Sequence, residues 1–374
     1  DHTRRIEGEG VKTKQSCHFG VKALNSVLPV LLAFVIGGII ILAIGENPLT
    51  TYRVMVERSL FNLRGVTRTL QLAAPLLLSG MAISICFKAN VFNMGIEGQL
   101  VFGGFMAGIV GHYMTNMNPA AHKLICFGVG ILCGMAFALV PALLRGCFHV
   151  DEMVVTLVLN YAMARVLEYL ASVVFRDAGA GYVATPPVQD SARFFLIGGS
   201  KVTPFLFIAL AVFLVMAFVM TKTKLGYTIT ALGKNPSFAE ATGLRSRRTV
   251  ILLMLISGAL AGIAGAGHML SEKTFYTLDF SGSPGLGWDG MLIALLGRHS
   301  PGGILAAALF YSALKTGSEA IGLYANVPNE IVAVIQSLII LFLAVRFLNE
   351  KYGLAERLRE KLTARRALGE EGKA

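Results

Sequence analysis

Charged side chains are scarce in this sequence. Asp, Glu, Lys and Arg together make up 15% of the 374 residues, whereas 55% of the residues are hydrophobic. A soluble globular domain carries charge on about a quarter of its residues. The low charge and the mean hydropathy of +0.65 therefore exclude an ordinary soluble domain and indicate a membrane protein.

Residue patterns that mark metal, disulfide and enzyme sites are also missing. The five cysteines form no CxxC pair, and the seven histidines show no HExxH or paired-ligand spacing. We therefore expect no metal site and no disulfide. There is no GxxxxGK phosphate loop and no GxSxG elbow, so we expect no enzyme active site on this chain.

Long apolar runs dominate what is present. A helix needs about 20 mostly apolar residues to cross a bilayer. The windows that reach this length are 26–45, 69–87, 123–144, 152–175, 203–220, 249–270 and 330–348. Shorter or interrupted windows are 100–114, 288–297 and 302–322. The sequence thus predicts an all-α polytopic membrane protein with about ten transmembrane helices.

The positive charge follows the predicted topology. More than twice as many Lys and Arg residues fall in alternate loops on the side of the N-terminus as in the loops opposite. The positive-inside rule then places both termini in the cytoplasm. We expect a basic cytoplasmic N-terminal segment at 1–25, a transmembrane domain at 26–348 with a cytoplasmic loop at 221–248, and a basic cytoplasmic tail at 349–374. The net charge of +11 needs no nucleic-acid partner to explain it.

The stretch FNMGIEGQ, residues 92–99, interrupts two apolar runs with polar residues and glycines. Glycine eases departure from a helix, and backbone groups freed at membrane depth must be satisfied by protein or by water in a cavity. Asn93, Glu97 and Gln99 supply such donors and acceptors. The alternatives are a helix break beside the transport path, with Gly95 and Gly98 at the break, and a plain cytoplasmic hairpin.

The fifth predicted span carries polar residues at helical spacing. Thr156 and Asn160 lie at i, i+4, and Arg165 and Glu168 at i, i+3. We expect these pairs to share roughly one face, turned toward the bundle interior, because charge in hydrocarbon is unfavourable. Thr156 and Asn160 are candidates to line the transport path. The charge pair is as readily explained as a link between helices.

The run GWDGMLIALLGRHSPGG, from residue 287, allows two interpretations. Trp288 and Asp289 would lie at the outer interface and Arg298 and His299 at the inner one, with Trp288 as an interfacial anchor. A short span between two glycine-rich breaks also fits a discontinuous helix. The sequence alone does not separate these alternatives.

The loop at 221–248 contains the signals of a short capped helix. In KNPSFAEATGL, Asn235 suits the N-cap, Pro236 the first helical position and Gly243 the end. One interpretation is a simple connector between two spans. The other is a surface that a cytoplasmic motor protein can engage.

Two stretches on either side of this loop are similar. LLLSGMAIS begins at residue 76 and LMLISGALAG at residue 253, and each precedes a glycine-rich polar break. On the predicted topology the two spans run in opposite directions. Spans two to five and seven to ten would then form inverted repeats, as in many transporters.

Four of these stretches together resemble one family. FKANVFNMGIEGQ, DEMVVTLVLNY, ALGKNPSFAEATGL and ALLGRHSPGG, in this order, look like the membrane permease subunits of bacterial ABC importers for nucleosides and simple sugars, a group that includes branched-chain amino-acid and ribose permeases. The resemblance extends over residues 26–348. FNMGIEGQ is its most specific part, with Met94 in place of the usual isoleucine.

The resemblance implies function and partners. An ABC permease of this kind pairs with a second, identical or related permease, with two ATPase subunits that hold ATP and Mg²⁺, and with a solute-binding lipoprotein or periplasmic protein. It lies in the bacterial cytoplasmic membrane and carries no cofactor itself. The residues that match the ATPase-coupling loop of the family are Gly233, Asn235, Pro236, Ala239 and Gly243. The residues that match its signatures near the path are Asn93, Gly95, Glu97, Gly98, Gln99 and Asn160.

The sequence therefore predicts the permease subunit of an ATP-driven nucleoside importer. The nearest alternative is a permease for simple sugars of the ribose or galactose type. A further alternative, a secondary transporter without ATPase, would need unpaired acids for ion coupling. Here the acids within spans have basic neighbours, Glu168 beside Arg165 and Glu319 beside Lys315. A purely structural scaffold has no need of breaks at membrane depth.

Overall fold

The computed structural model describes residues 34–278 and 284–324, together with residues 327–328, 333–334, 337–338 and 341. The predicted segment 1–25 and the tail 349–374 lie outside these residues. The first predicted span, 26–45, is described only from residue 34, and the last one, 330–348, lies mostly outside.

The described chain is built from α-helices joined by turns and loops, which confirms the predicted all-α class. The helices are α1 Phe34–Ala43, α2 Pro48–Val56, α3 Leu63–Lys88, α4 Ile96–Tyr113, α5 Pro119–Phe148, α6 Glu152–Tyr169, α7 Phe205–Lys222, α8 Lys224–Lys234, α9 Pro236–Ala241, α10 Ser246–His268, α11 Leu286–Leu296 and α12 Pro301–Tyr324. A π-helical turn extends α6 to Val174 and another extends α10 to Lys273.

Five of the described helices are long and apolar enough to cross a membrane: α3, α5, and α7, with α6 and α10 including their π-helical turns. They coincide with five of the seven longest apolar windows. By contrast, α11 has 11 residues and a length of only about 16 Å. The prediction of ten spanning helices is not confirmed within the described residues.

Glycine residues allow several helices to pack in close contact. Helix α10 packs against α3, α4 and α5. A Cβ atom added at Gly134 of α5 would lie 2.2 Å from the carbonyl oxygen of Gly258 in α10, and one at Gly265 would lie 1.9 Å from that of Leu100 in α4. Only glycine permits this approach, which is a common way to pack helices in membranes.

The described chain divides into two compact units. Residues Arg58–Thr316 form the larger unit, and the smaller combines the residues up to Glu57 with those from Gly317 on. In the smaller unit the Tyr52 hydroxyl of α2 donates a hydrogen bond of 2.7 Å to the carbonyl of Phe34 in α1. The two rings pack edge to face, with centroids 5.1 Å apart.

The predicted capped helix in the loop 221–248 is present as α9. Asn235 is its N-cap, and the side-chain oxygen accepts a hydrogen bond of 3.0 Å from the amide of Phe238. Pro236 occupies the first turn. Gly243 follows the helix with a φ of +84°, a left-handed conformation that favours glycine. A separate helix that the sequence did not predict, α8, precedes α9.

Candidate functional site

The FNMGIEGQ stretch connects α3 to α4 by a turn that folds back between helices. Helix α3 ends at Lys88, and Asn90 adopts a φ of +59°. Helix α4 begins at Ile96, after Gly95 as its N-cap. The turn is buried for most of its length, so its backbone groups need partners from the protein.

Helix α6 supplies the first set of partners. The Thr156 hydroxyl accepts a hydrogen bond of 3.2 Å from the Met94 amide. The Asn160 carboxamide accepts one of 3.0 Å from the Gly98 amide and donates one of 2.7 Å to the Met94 carbonyl. The i, i+4 spacing of Thr156 and Asn160 therefore serves to hold the break, because both side chains meet its backbone.

Asn93 and Gln99 hold the break from within. Both side chains are buried. The Asn93 oxygen accepts hydrogen bonds from the Gly95 amide at 3.0 Å and the Gln99 side chain at 3.2 Å. Its nitrogen donates to the hydroxyl of Ser257 in α10 at 3.0 Å, and that hydroxyl donates to the Ala82 carbonyl of α3 at 2.9 Å. The network thus links α3, α4 and α10 at the break.

The two glycines of the break permit close packing rather than an unusual backbone conformation. Gly95 has a φ of −79°, which any residue adopts. A Cβ atom at Gly98 would lie 2.6 Å from the Asn160 side-chain oxygen and 2.9 Å from the Phe137 ring. At Gly98 glycine is therefore required because a side chain has no space, and not because the backbone adopts an unusual conformation.

Glu97 caps a second helix that lies far away in the sequence. One carboxylate oxygen accepts a hydrogen bond of 2.9 Å from the Gly285 amide, and the other accepts one from the Gly287 amide. Gly285 is the N-cap of α11, with a φ of +74°. A buried carboxylate at a helix N-terminus accepts hydrogen bonds from free amides and interacts favourably with the positive end of the helix dipole.

Helix α11 begins in the interior of the bundle. A Cβ atom at Gly290 would lie 2.6 Å from the Ser79 side chain, and Ser79 is about 14 Å along α3 from the Lys88 end. At the other end, the ring of His299, after α11, lies 5.7 Å from that of Phe87. The start of α11, which carries Trp288, therefore lies beside the middle of α3, an arrangement that favours the discontinuous-helix interpretation.

Asp289, the residue after Trp288, has charged and polar partners on α12. The Tyr311 hydroxyl donates a hydrogen bond of 2.5 Å to one carboxylate oxygen, and the Lys315 ammonium donates one of 2.7 Å to the other. These groups are mostly shielded from solvent, so each charge depends on the other. Helical spacing within α12 could not reveal this partner of Lys315.

A cavity of about 320 Å³ lies between α4, α6 and α11, a size typical of small-molecule sites. Its lining residues are Glu97, Gly98, Val101, Asn160, Tyr161, Met163, Ala164, Arg165, Leu167 and Trp288. Two predicted path residues, Glu97 and Asn160, thus reach the cavity. Asn93, Gln99 and Thr156 are not among its lining residues. Sequence reasoning missed Tyr161 and Trp288, although Trp288 is the single tryptophan of the chain.

The charge pair of α6 lies on a different face from Asn160. Arg165 and Glu168 form an ion pair of 2.5 Å with side-chain exposures of 75% and 38%, whereas Thr156 and Asn160 are buried. The expectation that all four face the bundle interior is wrong. Five residues of helix rotate by about 500°, which leaves Arg165 about 140° from Asn160 around α6, although both residues line the cavity.

One of the residues predicted for ATPase coupling, Gly233, adjoins the end of α3. A Cβ atom at Gly233 of α8 would lie 1.9 Å from the Lys88 carbonyl oxygen, so α8 rests directly on the residue that ends α3. Ala239 of α9 is buried, and its carbonyl accepts the amide of Leu244 at 3.1 Å. Asn235 and Pro236 are exposed.

Helices of membrane-spanning length, a polar break at 89–95 and a short helix that begins beside the same cavity define a polytopic α-helical membrane protein of transporter type. Residues 65–344 match the sequence model of the family described as the permease component of the branched-chain amino acid transport system. The chain belongs to this family. It is therefore a multi-pass membrane protein and the permease subunit of an ABC transport system.

Three relatives with curated descriptions cover most of the chain. The nucleoside ABC transporter permease protein NupB of Lactococcus lactis subsp. cremoris is 32% identical over 88% of this chain and 92% of its own length. The guanosine permease protein NupP of Bacillus subtilis is 30% identical over 87% and 94%. The glucose permease protein TsgB13 of Haloferax volcanii is 30% identical over 87% and 88%.

Proposed function

We propose that this chain is the membrane permease of an ATP-driven nucleoside importer. The observation that carries the proposal is the cavity beside the FNMGIEGQ break, in a chain whose relatives include permeases named for nucleosides and guanosine. A glucose permease is similar to nearly the same extent. Simple sugars are therefore the alternative substrate class.

The importer would comprise this chain, a second permease, two ATPase subunits and a solute-binding protein, in the cytoplasmic membrane. ATP and Mg²⁺ belong to the ATPase subunits. The second permease is supported by the exposed face of α6, where the Arg165 side chain is 75% exposed and Tyr161 is 71% exposed. A charge is unfavourable against lipid. We place this face against the second permease and the aqueous path between the two subunits.

The distribution of basic residues supports cytoplasmic termini and a cytoplasmic loop 221–248. In this orientation α9 meets the ATPase, and α8 transmits its motion because Gly233 contacts the Lys88 carbonyl directly. The break begins at Ala89, after that contact. ATP binding would then shift the two sides of the break, and solute would move if it binds the two states differently.

The substrate class is tested by reconstitution. The chain is inserted into proteoliposomes with the ATPase, the second permease and the binding protein of the same operon, and uptake of labelled uridine, guanosine, ribose and glucose is compared. We expect ATP-dependent uptake of nucleosides and little uptake of sugars. Uptake of ribose or glucose instead of nucleosides would establish the sugar alternative.

The coupling role is tested by substitutions in the loop. Gly243→Ala forces a side chain into the left-handed region, which costs about 1 kcal/mol or more, and Asn235→Ala removes the N-cap of α9. We expect both variants to insert normally and to hydrolyse ATP, but to lose most uptake per ATP. Thr228→Ala, which removes a hydrogen bond of 2.9 Å to the Lys224 carbonyl one turn back in α8, is the control. Unchanged uptake in the Gly243 and Asn235 variants would refute the coupling role.

A further inference from the structure

Trp288 occupies a fixed position in the wall of the cavity. It lies in the first turn of α11, directly after Gly287, whose amide is bound by the Glu97 carboxylate. The other oxygen of that carboxylate holds Gly285. The start of α11 is therefore anchored to α4 on both sides of Leu286. Trp288 is half-buried and so has a surface available toward the cavity.

The remaining walls combine aliphatic and polar groups. Val101 of α4 and Met163, Ala164 and Leu167 of α6 supply apolar surface. Polar lining residues on α6 are Asn160, Tyr161 and Arg165, the last of which is ion-paired with Glu168. One N–H of the Asn160 carboxamide is used for the Met94 carbonyl, and a carboxamide has two. A further donor can thus reach a bound molecule.

An indole ring beside aliphatic walls and a few polar groups suits a flat heteroaromatic solute. A nucleobase offers a π face for stacking and a polar edge for hydrogen bonds, and base stacking on aromatic side chains tolerates every base. A free pentose or hexose presents C–H groups to an indole and has neither a flat π face nor a heteroaromatic edge. The cavity is thus better matched to a nucleoside than to a simple sugar.

We infer that Trp288 contacts the transported solute by stacking against its nucleobase in the cavity between α4, α6 and α11, and that Glu97 is a positioning residue for this tryptophan. This inference rests on the proposed nucleoside function and names the group that selects nucleosides over sugars within the membrane. It assigns selection to the permease as well as to the binding protein.

The single tryptophan makes the first test direct. The full-length chain in lipid nanodiscs is excited at the red edge of indole absorption, where uridine absorbs little, and is titrated with uridine or ribose. All tryptophan emission of the chain comes from Trp288. We expect saturable quenching by uridine and none by ribose. An unchanged spectrum with uridine, or an equal change with ribose, would overturn the inference.

The second test measures uptake by the complete transporter. Trp288→Phe keeps an aromatic face and Trp288→Leu does not. We expect nucleoside uptake within about twofold of wild type for the phenylalanine variant and a loss of about tenfold for the leucine variant. Tyr113→Leu, at the opposite end of α4, is the matched control and is expected to transport normally.

The outcomes separate the inference from the proposed function. If the wild-type transporter takes up no nucleoside, the proposed function fails. If it takes up nucleosides and the Trp288→Leu variant does so equally well, only the stacking role fails. Should the leucine variant not accumulate in the membrane, the titration of the wild-type chain and the phenylalanine variant still decide.

Discussion

The carboxylate of Glu97 is expected to be a major local contributor to stability, and its replacement tests this. Glu97→Gln preserves the size of the side chain but leaves one acceptor oxygen for the two amides of Gly285 and Gly287. The new NH₂ group faces an amide donor. Glu97 and Gly287 are buried, so the unpaired amide is largely shielded from solvent and keeps much of its desolvation penalty.

The magnitude follows from the two interactions that are lost. A hydrogen bond to a charged group contributes about 1.5–3 kcal/mol, and a carboxylate at a partly buried helix N-terminus adds up to about 2 kcal/mol. We therefore expect Glu97→Gln to destabilise the chain by about 3 kcal/mol. At roughly 2 °C per kcal/mol for a unit of this size, the Tm falls by about 6 °C. Glu97→Ala should lower it further, since both amides lose their partner.

The assay is thermal unfolding of the purified chain in one detergent, followed by circular dichroism. Glu57→Gln removes the same charge from an exposed ion pair, in which the Arg53 side chain is 76% exposed and the Glu57 side chain 52% exposed. Such a pair contributes little, so this control should melt as wild type does. If Glu97→Gln and Glu57→Gln melt alike, the carboxylate cap is not energetically important and the reasoning is refuted.

Two further predictions concern packing and charge. Gly265→Ala places a methyl group against the backbone of α4 and should lower the Tm strongly. Gly128→Ala, at a position with open space around it, is the control and should leave the Tm unchanged or raise it. Equal Tm values for the two variants would contradict the close contact. Lys315→Met strands the Asp289 carboxylate and should destabilise by about 3–5 kcal/mol, and adding Asp289→Asn should recover much of the loss in a thermal melt. No recovery in the double variant would contradict the pairing.

Local signals in the sequence predicted the parts of the structure that depend on local physics. Apolar length alone predicted α3, α5 and α10, because burying backbone in lipid requires a helix. Asn235 and Gly243 marked α9 correctly, because an N-cap and a left-handed glycine act within one or two turns. These features need no knowledge of distant contacts.

The site itself depends on contacts that no local pattern contains. Glu97 of α4 binds the amides of Gly285 and Gly287 at the start of α11. Asp289 of α11 binds Lys315 of α12. Periodicity describes one helix at a time and cannot reveal such partners. Arg165 is a different case, because its angle of about 140° from Asn160 around α6 follows from helical spacing and could have been worked out from the sequence.

The contacts around the two breaks also show how the two similar stretches relate. Aligning LLLSGMAIS with LMLISGALAG pairs Ser79 of α3 with Ser257 of α10. Ser257 binds Asn93, from the break between α3 and α4, and Ser79 contacts Gly290 in α11. The paired serines thus each contact a residue of the other half. The inverted repeats themselves stay a prediction from the sequence. Because Glu97 joins the start of α4 to the start of α11, we expect a relative shift of these two helices to move the wall of the cavity.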